Sequence, residues 1–173
     1  MKKYAIAAAA ALAGLTAGGA QATVTDWGVH APTEISLPSG LVSPGAFSDL
    51  FTFVLGATSD ITTSAVAANN GSVLGITGGS VWLYSDLGAT GESIEDMFVS
   101  AFAFNGSSGS ISHTISPLAA GSYYYKVMGT ATGSFGGLYT LTSTVPIPEP
   151  GTWAMLATGG MLLGFALRRN RAQ

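Results

Sequence analysis

The chain has no cysteine among its 173 residues. A disulfide framework, thiol catalysis and thiolate-bound metals are therefore excluded. Charge is scarce, at 9% of residues, and unevenly placed. Five of the six basic residues are Lys2, Lys3, Arg168, Arg169 and Arg171, at the two ends. Between Thr23 and Pro150 the only base is Lys126, against nine acids, a net of −8 with histidine neutral. Such a body repels nucleic acid and anionic lipid, and no nucleic-acid partner is expected. It tolerates cations and neutral sugars. Acidity combined with many Ser, Thr and Gly residues also keeps an exported chain soluble without a lysine-rich surface.

The residues needed for catalysis are sparse too. His30 and His113 are the only histidines. His30 sits in a proline-flanked loop, and His113 shares a strand face with Ile111 and Ile115, as a half-buried histidine would. No Gly-x-Ser-x-Gly elbow occurs, since residues 106–110 (GSSGS) lack its spacing. There is no His-Glu-x-x-His helix and no phosphate-cradling glycine loop. No pair of carboxylates stands out for glycoside hydrolysis. The glycine pairs Gly78-Gly79 and Gly136-Gly137 read as turns. An enzyme is not expected, and no cofactor is required.

What the chain does have is two apolar segments, one at each end. Residues 1–22 read as a signal peptide: Lys2 and Lys3, an apolar run over residues 6–15, then Ala20-Gln21-Ala22 as a small-x-small cleavage site. The mature chain is expected to begin at Thr23. At the other end stand Pro148-Glu149-Pro150, an uncharged run over residues 153–167 and the cluster Arg168, Arg169 and Arg171. As a helix, that run spans about 22 Å, short of the roughly 30 Å hydrocarbon core. Thr152 and snorkelling arginines extend it, so a transmembrane helix is expected over residues 152–167. Arginines following it should stay cytoplasmic, which places the body outside.

This order of triplet, apolar helix, arginine cluster and chain end resembles the PEP-CTERM sorting signal of bacterial exported proteins. The resemblance covers residues 146–173 and implies recognition by an exosortase, a membrane-embedded cysteine transpeptidase. It further implies transient anchoring in the inner membrane, tail removal near the triplet, and release to or attachment at the cell surface. Association with exopolysaccharide and biofilm is implied in the same way. A plain retained anchor is the alternative.

Residues 23–145 make one domain, large enough for a true core. Short runs rich in Val, Ile, Thr, Phe and Tyr alternate with Gly, Ser and Asn-Gly, which is an all-β signature. Strands are expected near residues 49–55, 60–67, 80–85, 98–104, 110–115, 122–129 and 137–145, with a shorter one near 24–29. That number suggests a single jelly-roll-like antiparallel β-sandwich. Pro32, Pro38 and Pro44 make the stretch before Phe47 a loop, or at best an edge strand. Tyr123, Tyr125 and Val127 should face the core, leaving Lys126 in water. Tyr139, Leu141 and Val145 share a face. Phe98, Phe102 and Phe104 share another, opposite Val99, Ala101 and Ala103, so their strand is expected to be central. Asn70-Gly71-Ser72 and Asn105-Gly106-Ser107 read as turns.

Three smaller features complete the sequence. Phe47-Ser48-Asp49-Leu50-Phe51 resembles the FxDxF signature of a PEP-CTERM subgroup. Within it, Asp49 would face the same way as Phe47, Phe51 and Phe53 if the strand were continuous. A buried carboxylate needs partners, so the strand is expected to begin just after it, with Asp49 accepting backbone N–H groups. Residues 49–53 (DLFTF), 81–84 (VWLY), 118–127 (LAAGSYYYKV) and 137–141 (GLYTL) resemble, in order and spacing, the bacterial pre-peptidase C-terminal domain. That resemblance implies a jelly-roll sandwich with a binding or spacer role and no activity. Finally, Glu92, Glu95 and Asp96 are weak candidates for Ca²⁺, which takes 6–8 oxygen ligands. The expectation is an exported, non-enzymatic surface protein. The alternative is a carbohydrate- or calcium-binding module on a permanent anchor.

Overall fold

The structure is a computed structural model that describes residues 21–37, 41–88, 92–106 and 111–146, together with Thr158. Among the described residues nine strands run in chain order: β1 (Val24–Val29), β2 (Thr33–Ser36), β3 (Gly45–Leu55), β4 (Ser59–Ala67), β5 (Ile76–Ser85), β6 (Met97–Phe104), β7 (His113–Leu118), β8 (Gly121–Ala131) and β9 (Tyr139–Thr144). They form a five-stranded sheet in the order β1-β3-β8-β5-β6 and a four-stranded sheet in the order β2-β9-β4-β7. The all-β, two-sheet architecture agrees with the sequence pattern. One pairing departs from a purely antiparallel sandwich, because β1 runs parallel to β3. The chain leaves β1, lays β2 in the opposite sheet, and returns as β3 in the same direction. Such a crossover between sheets gives a parallel pair that no hairpin could make.

The core lies between the sheets. Alternation along β8 buries Tyr123, Tyr125 and Val127, and alternation along β9 buries Tyr139 and Leu141. Phe51 and Phe53 from β3, Ile61 from β4, and Val81 and Leu83 from β5 fill the space between them. Each such side chain stabilises the fold by about 1.5–3 kcal/mol when fully buried.

Several expectations are corrected. The strand containing Asp49 starts four residues earlier, at Gly45, so Asp49 is mid-strand. The strand expected at 110–115 runs instead from His113 to Leu118. Gly78 and Gly79 lie inside β5, where the register with β8 shifts between Thr77 and Ser80, rather than in a turn. A Cβ at Gly79 would come within 2.8 Å of the Phe104 carbonyl oxygen, so glycine permits this close approach. The β6 strand is an edge strand, not a central one. Its apolar residues on both sides have a local cause: Val99 is an extra residue between Ser100, opposite Leu83, and Phe98, opposite Tyr84. This bulge reverses the faces. Phe102, Phe104 and Val99 pack on the core, while Phe98 points outward and is 55% exposed.

Phe98 joins Trp82, Tyr84 and Tyr124 on the outer face of the five-stranded sheet. The Tyr84 and Tyr124 rings stack at 5.2 Å, and Phe98 meets Trp82 and Tyr84 edge-on. Tyr124 is therefore buried although it points away from the core. The proline-rich stretch before Phe47 holds the short edge strand β2. At the sandwich's open side His113 of β7 stacks on Phe102 of β6 at 4.1 Å, closing the two sheets against each other.

Candidate functional site

Asp49 is the most constrained carboxylate of the body. Strand alternation points it inward with Phe47, Phe51 and Phe53, and it is only 2% exposed. Its Oδ2 accepts a hydrogen bond from the Tyr139 hydroxyl at 2.6 Å. Its Oδ1 accepts from the Thr23 backbone N–H at 3.0 Å and from the Thr23 hydroxyl at 2.5 Å. Phe47 stacks on the ring of the same Tyr139 at 5.6 Å, and Phe51 packs on Trp27 at 5.5 Å. The residues of the Phe-x-Asp-x-Phe motif thus form a clip joining the start of β1, the middle of β3 and β9 in the other sheet. Burial first, and then the bond to Asp49, push the Tyr139 hydroxyl far above its usual range. The expected backbone donor exists. The strand nevertheless continues through Asp49, because Tyr139 and Thr23 supply the partners a buried carboxylate requires.

A second polar group crosses the core at the other end of Trp27. His30 Nδ1 lies 2.5 Å from the Ala31 carbonyl, which can only accept, so Nδ1 carries the proton. Nε2 then accepts from the Ser143 hydroxyl at 2.8 Å. Ser143 accepts from the Tyr125 hydroxyl at 3.0 Å, which in turn accepts from Thr63 at 2.6 Å. Burial lowers the His30 pKa and pushes the Tyr125 hydroxyl up to about 12. A serine bonded to a histidine has the outline of a nucleophile and base. Ser143 is fully buried, however, and its oxygen is held on both sides, so no substrate reaches it. The chain Thr63–Tyr125–Ser143–His30 is a structural connection between sheets. Sequence reasoning missed it, because His30 and Ser143 are 113 residues apart. Among the described residues no buried side-chain nitrogen or oxygen lacks a partner.

The acids expected as weak calcium candidates do not converge. Asp96 Oδ1 accepts from the Leu87 N–H at 3.2 Å, and Oδ2 accepts from the Ser93 N–H at 2.7 Å and the Tyr124 hydroxyl at 3.0 Å. Desolvation opposes its ionisation, but these hydrogen bonds outweigh that and hold its carboxyl below the usual range. Glu92 forms an ion pair with Lys126. Glu95 contributes its backbone N–H to Ser93 Oγ. Among the described residues no group of three or more His, Asp or Glu is arranged to hold a metal. The acids instead pin the β5–β6 connection onto the outer face, over Tyr124.

The sorting residues Pro148, Glu149, Pro150, Arg168, Arg169 and Arg171, and Ala20 of the cleavage site, lie outside the described residues. So does the expected transmembrane segment 152–167, apart from Thr158. Among the described residues no helix is long and apolar enough to cross a membrane. Ala22 is exposed and directly precedes Thr23, the partner of Asp49. Just beyond β9, Val145 donates its N–H to the Pro32 carbonyl at 3.0 Å, and Pro146 follows.

From that residue the chain changes character. Residues 146–171 match the PEP-CTERM protein-sorting motif. A PEP-CTERM motif marks an exported chain that is anchored transiently in the membrane and is a substrate of an exosortase. No curated protein matches the sequence. Among solved structures, the body is similar to the pre-peptidase C-terminal domain of collagenase from Bacillus anthracis. The identity is 18% and the TM-score 0.43, covering 70% of this chain and 94% of that one. It is also similar to PliG from Aeromonas hydrophila, a periplasmic inhibitor of g-type lysozyme, at 12% identity and TM-score 0.42. That likeness covers 72% of this chain and 99% of that one.

Proposed function

We propose that this PEP-CTERM chain is a non-enzymatic surface protein that works in association with exopolysaccharide. A signal peptide ending at Ala22 starts export. The segment 152–167 then holds the chain in the inner membrane, with Arg168, Arg169 and Arg171 kept cytoplasmic and the sandwich outside. An exosortase recognises Pro148, Glu149 and Pro150 and removes the tail, leaving the body at the cell surface or in the surrounding matrix.

The observation that carries this reading is the position of the motif. It begins at Pro146, two residues beyond the end of β9, so tail removal leaves all the described strands intact. The acidic, hydroxyl-rich surface suits a hydrated polysaccharide setting, and the Ser143–His30 pair is sealed in the core. The test is the intact mass of the protein from the cell surface or medium and from the inner membrane, with Pro148, Glu149 and Pro150 in place or all replaced by alanine. The native chain should appear at the surface ending near Pro150. The triple variant should remain full-length in the membrane. Unchanged processing of the variant would remove the triplet from its role.

A further inference from the structure

We propose that leader removal at the Ala22–Thr23 bond completes the fold by docking the new Thr23 α-ammonium on Asp49. The inference rests on the export reading above and on Ala20-Gln21-Ala22 as the cleavage site. Hydrolysis breaks the amide C–N bond. Water supplies the second oxygen of the Ala22 carboxylate, and its two hydrogens end on the Thr23 nitrogen, which becomes –NH3⁺ with no other proton exchanged.

That nitrogen is already placed. It lies 3.0 Å from Asp49 Oδ1, inside hydrogen-bond range before any cut. Two further bonds hold Thr23 independently of the leader: its hydroxyl donates to the same oxygen, and its carbonyl accepts from the Leu50 N–H at 2.7 Å. In the uncut chain all three donors on Asp49 are uncharged groups, namely an amide, an aliphatic hydroxyl and a phenol. The cut turns the first into a cation. A neutral hydrogen bond to a buried carboxylate thereby becomes a charge-assisted one, shorter and roughly twice as strong. The same cut removes Gln21, whose N–H donates to Ala46 O at 3.2 Å, whose carbonyl accepts from Ser48 N and whose Oε1 accepts from Ser43 N. The edge of the five-stranded sheet thus exchanges a peptide pairing for an ion pair at its first residue. Uncut and cut chains have different locks at the same place.

The chemistry of the amine reports the docking. A free α-amino group has a pKa of about 8. Pairing with Asp49 raises it and lowers the reactive fraction of neutral amine. A body starting at Thr23 and lacking the arginine tail has only two amines, the Thr23 α-amine and Lys126. The protein recovered from the cell surface would first be weighed intact, which fixes its start. It would then be treated with trace acetic anhydride at pH 7, folded and in urea, and the two amines compared by peptide mass. Docking predicts that Thr23 reacts at least ten-fold more slowly in the folded protein than in urea. It also predicts that Asp49→Asn restores fast reaction. If that variant does not fold, Tyr139→Phe, which leaves Asp49 in place, should keep the slow reaction. A chain starting at Thr23 whose amine reacts at the same rate folded and unfolded overturns the docking and leaves the export reading intact. Slow reaction persisting in a folded Asp49→Asn variant overturns it as well. A chain starting at another residue overturns the cleavage site, and the docking with it.

Discussion

Asp49 and Asp96 are the same device in two settings. Each carboxylate accepts three hydrogen bonds, and one of the three in each case comes from a tyrosine hydroxyl. Asp49 does this inside the core, where its donors join the two sheets. Asp96 does it at the surface, where its donors fold one loop onto an outer face. Equal numbers of hydrogen bonds do not mean equal stabilisation. Water reaches the exposed Leu87 and Ser93 donors around Asp96, whereas Asp49 is 2% exposed and its Tyr139 partner is buried. Removing the inner carboxylate leaves the buried Tyr139 hydroxyl without its partner, and removing the outer one leaves the Leu87 and Ser93 N–H groups, which water can satisfy.

The largest expected effect is therefore that of Asp49→Ala, about 3 kcal/mol or more lost in urea unfolding, since each hydrogen bond to a charged group contributes about 1.5–3 kcal/mol. Asp96→Ala should lose less than about 1 kcal/mol. Equal losses would break the comparison. Next come the tyrosines. Tyr139→Phe should cost about 1.5–3 kcal/mol, and Tyr124→Phe about half that or less. A double-mutant cycle of Tyr139→Phe with Asp49→Asn should show strong coupling, and the Tyr124–Asp96 cycle weak coupling.

Protonation sharpens the contrast further. His30 is buried in its neutral form with a lowered pKa. The unfolded state therefore binds its proton first, and the stability tied to His30 is full above about 6.5 and declines as pH falls toward the lower folded value. Thermal unfolding at pH 7.5 and pH 5 should show the decline, and His30→Gln should flatten it. The smallest effect belongs to Asp96. Its folded pKa is depressed, so its contribution is present above about 3.9 and is lost only as pH falls through the folded value. Melts between pH 5 and pH 2.5, with and without Asp96→Asn, should differ slightly and only at the acid end.

Much of the fold was legible in the sequence, because period-2 alternation records which side of a strand meets the core. The inward set Tyr123, Tyr125 and Val127 follows from that pattern, and the edge character of the stretch before Phe47 follows from its prolines, which cannot donate to a ladder. The failures have local physical causes. Alternation correctly pointed Asp49 inward, but the cost of burying a carboxylate argued against it, and its partners lie 26 and 90 residues away. A bulge reversed the faces of β6, and period-2 reasoning has no means of locating an extra residue in advance. The acidic cluster invited a cation because its neighbours in space, Tyr124 and Lys126, come from a different strand. Histidine-to-serine pairing across 113 residues leaves no local trace at all. The sorting tail was the opposite case, since its information is linear and its match over residues 146–171 needs no folding to be read.

The place of β9 has a mechanical consequence. The tail leaves from an interior strand, paired with β2 over four residues and with β4 over six. If the tail tethers the body as proposed, a pull on the body travels along β9. Force in that direction shears two hydrogen-bonded ladders at once instead of peeling one strand from an edge. Rupture then requires many bonds to fail together, so the sandwich holds its shape under such tension.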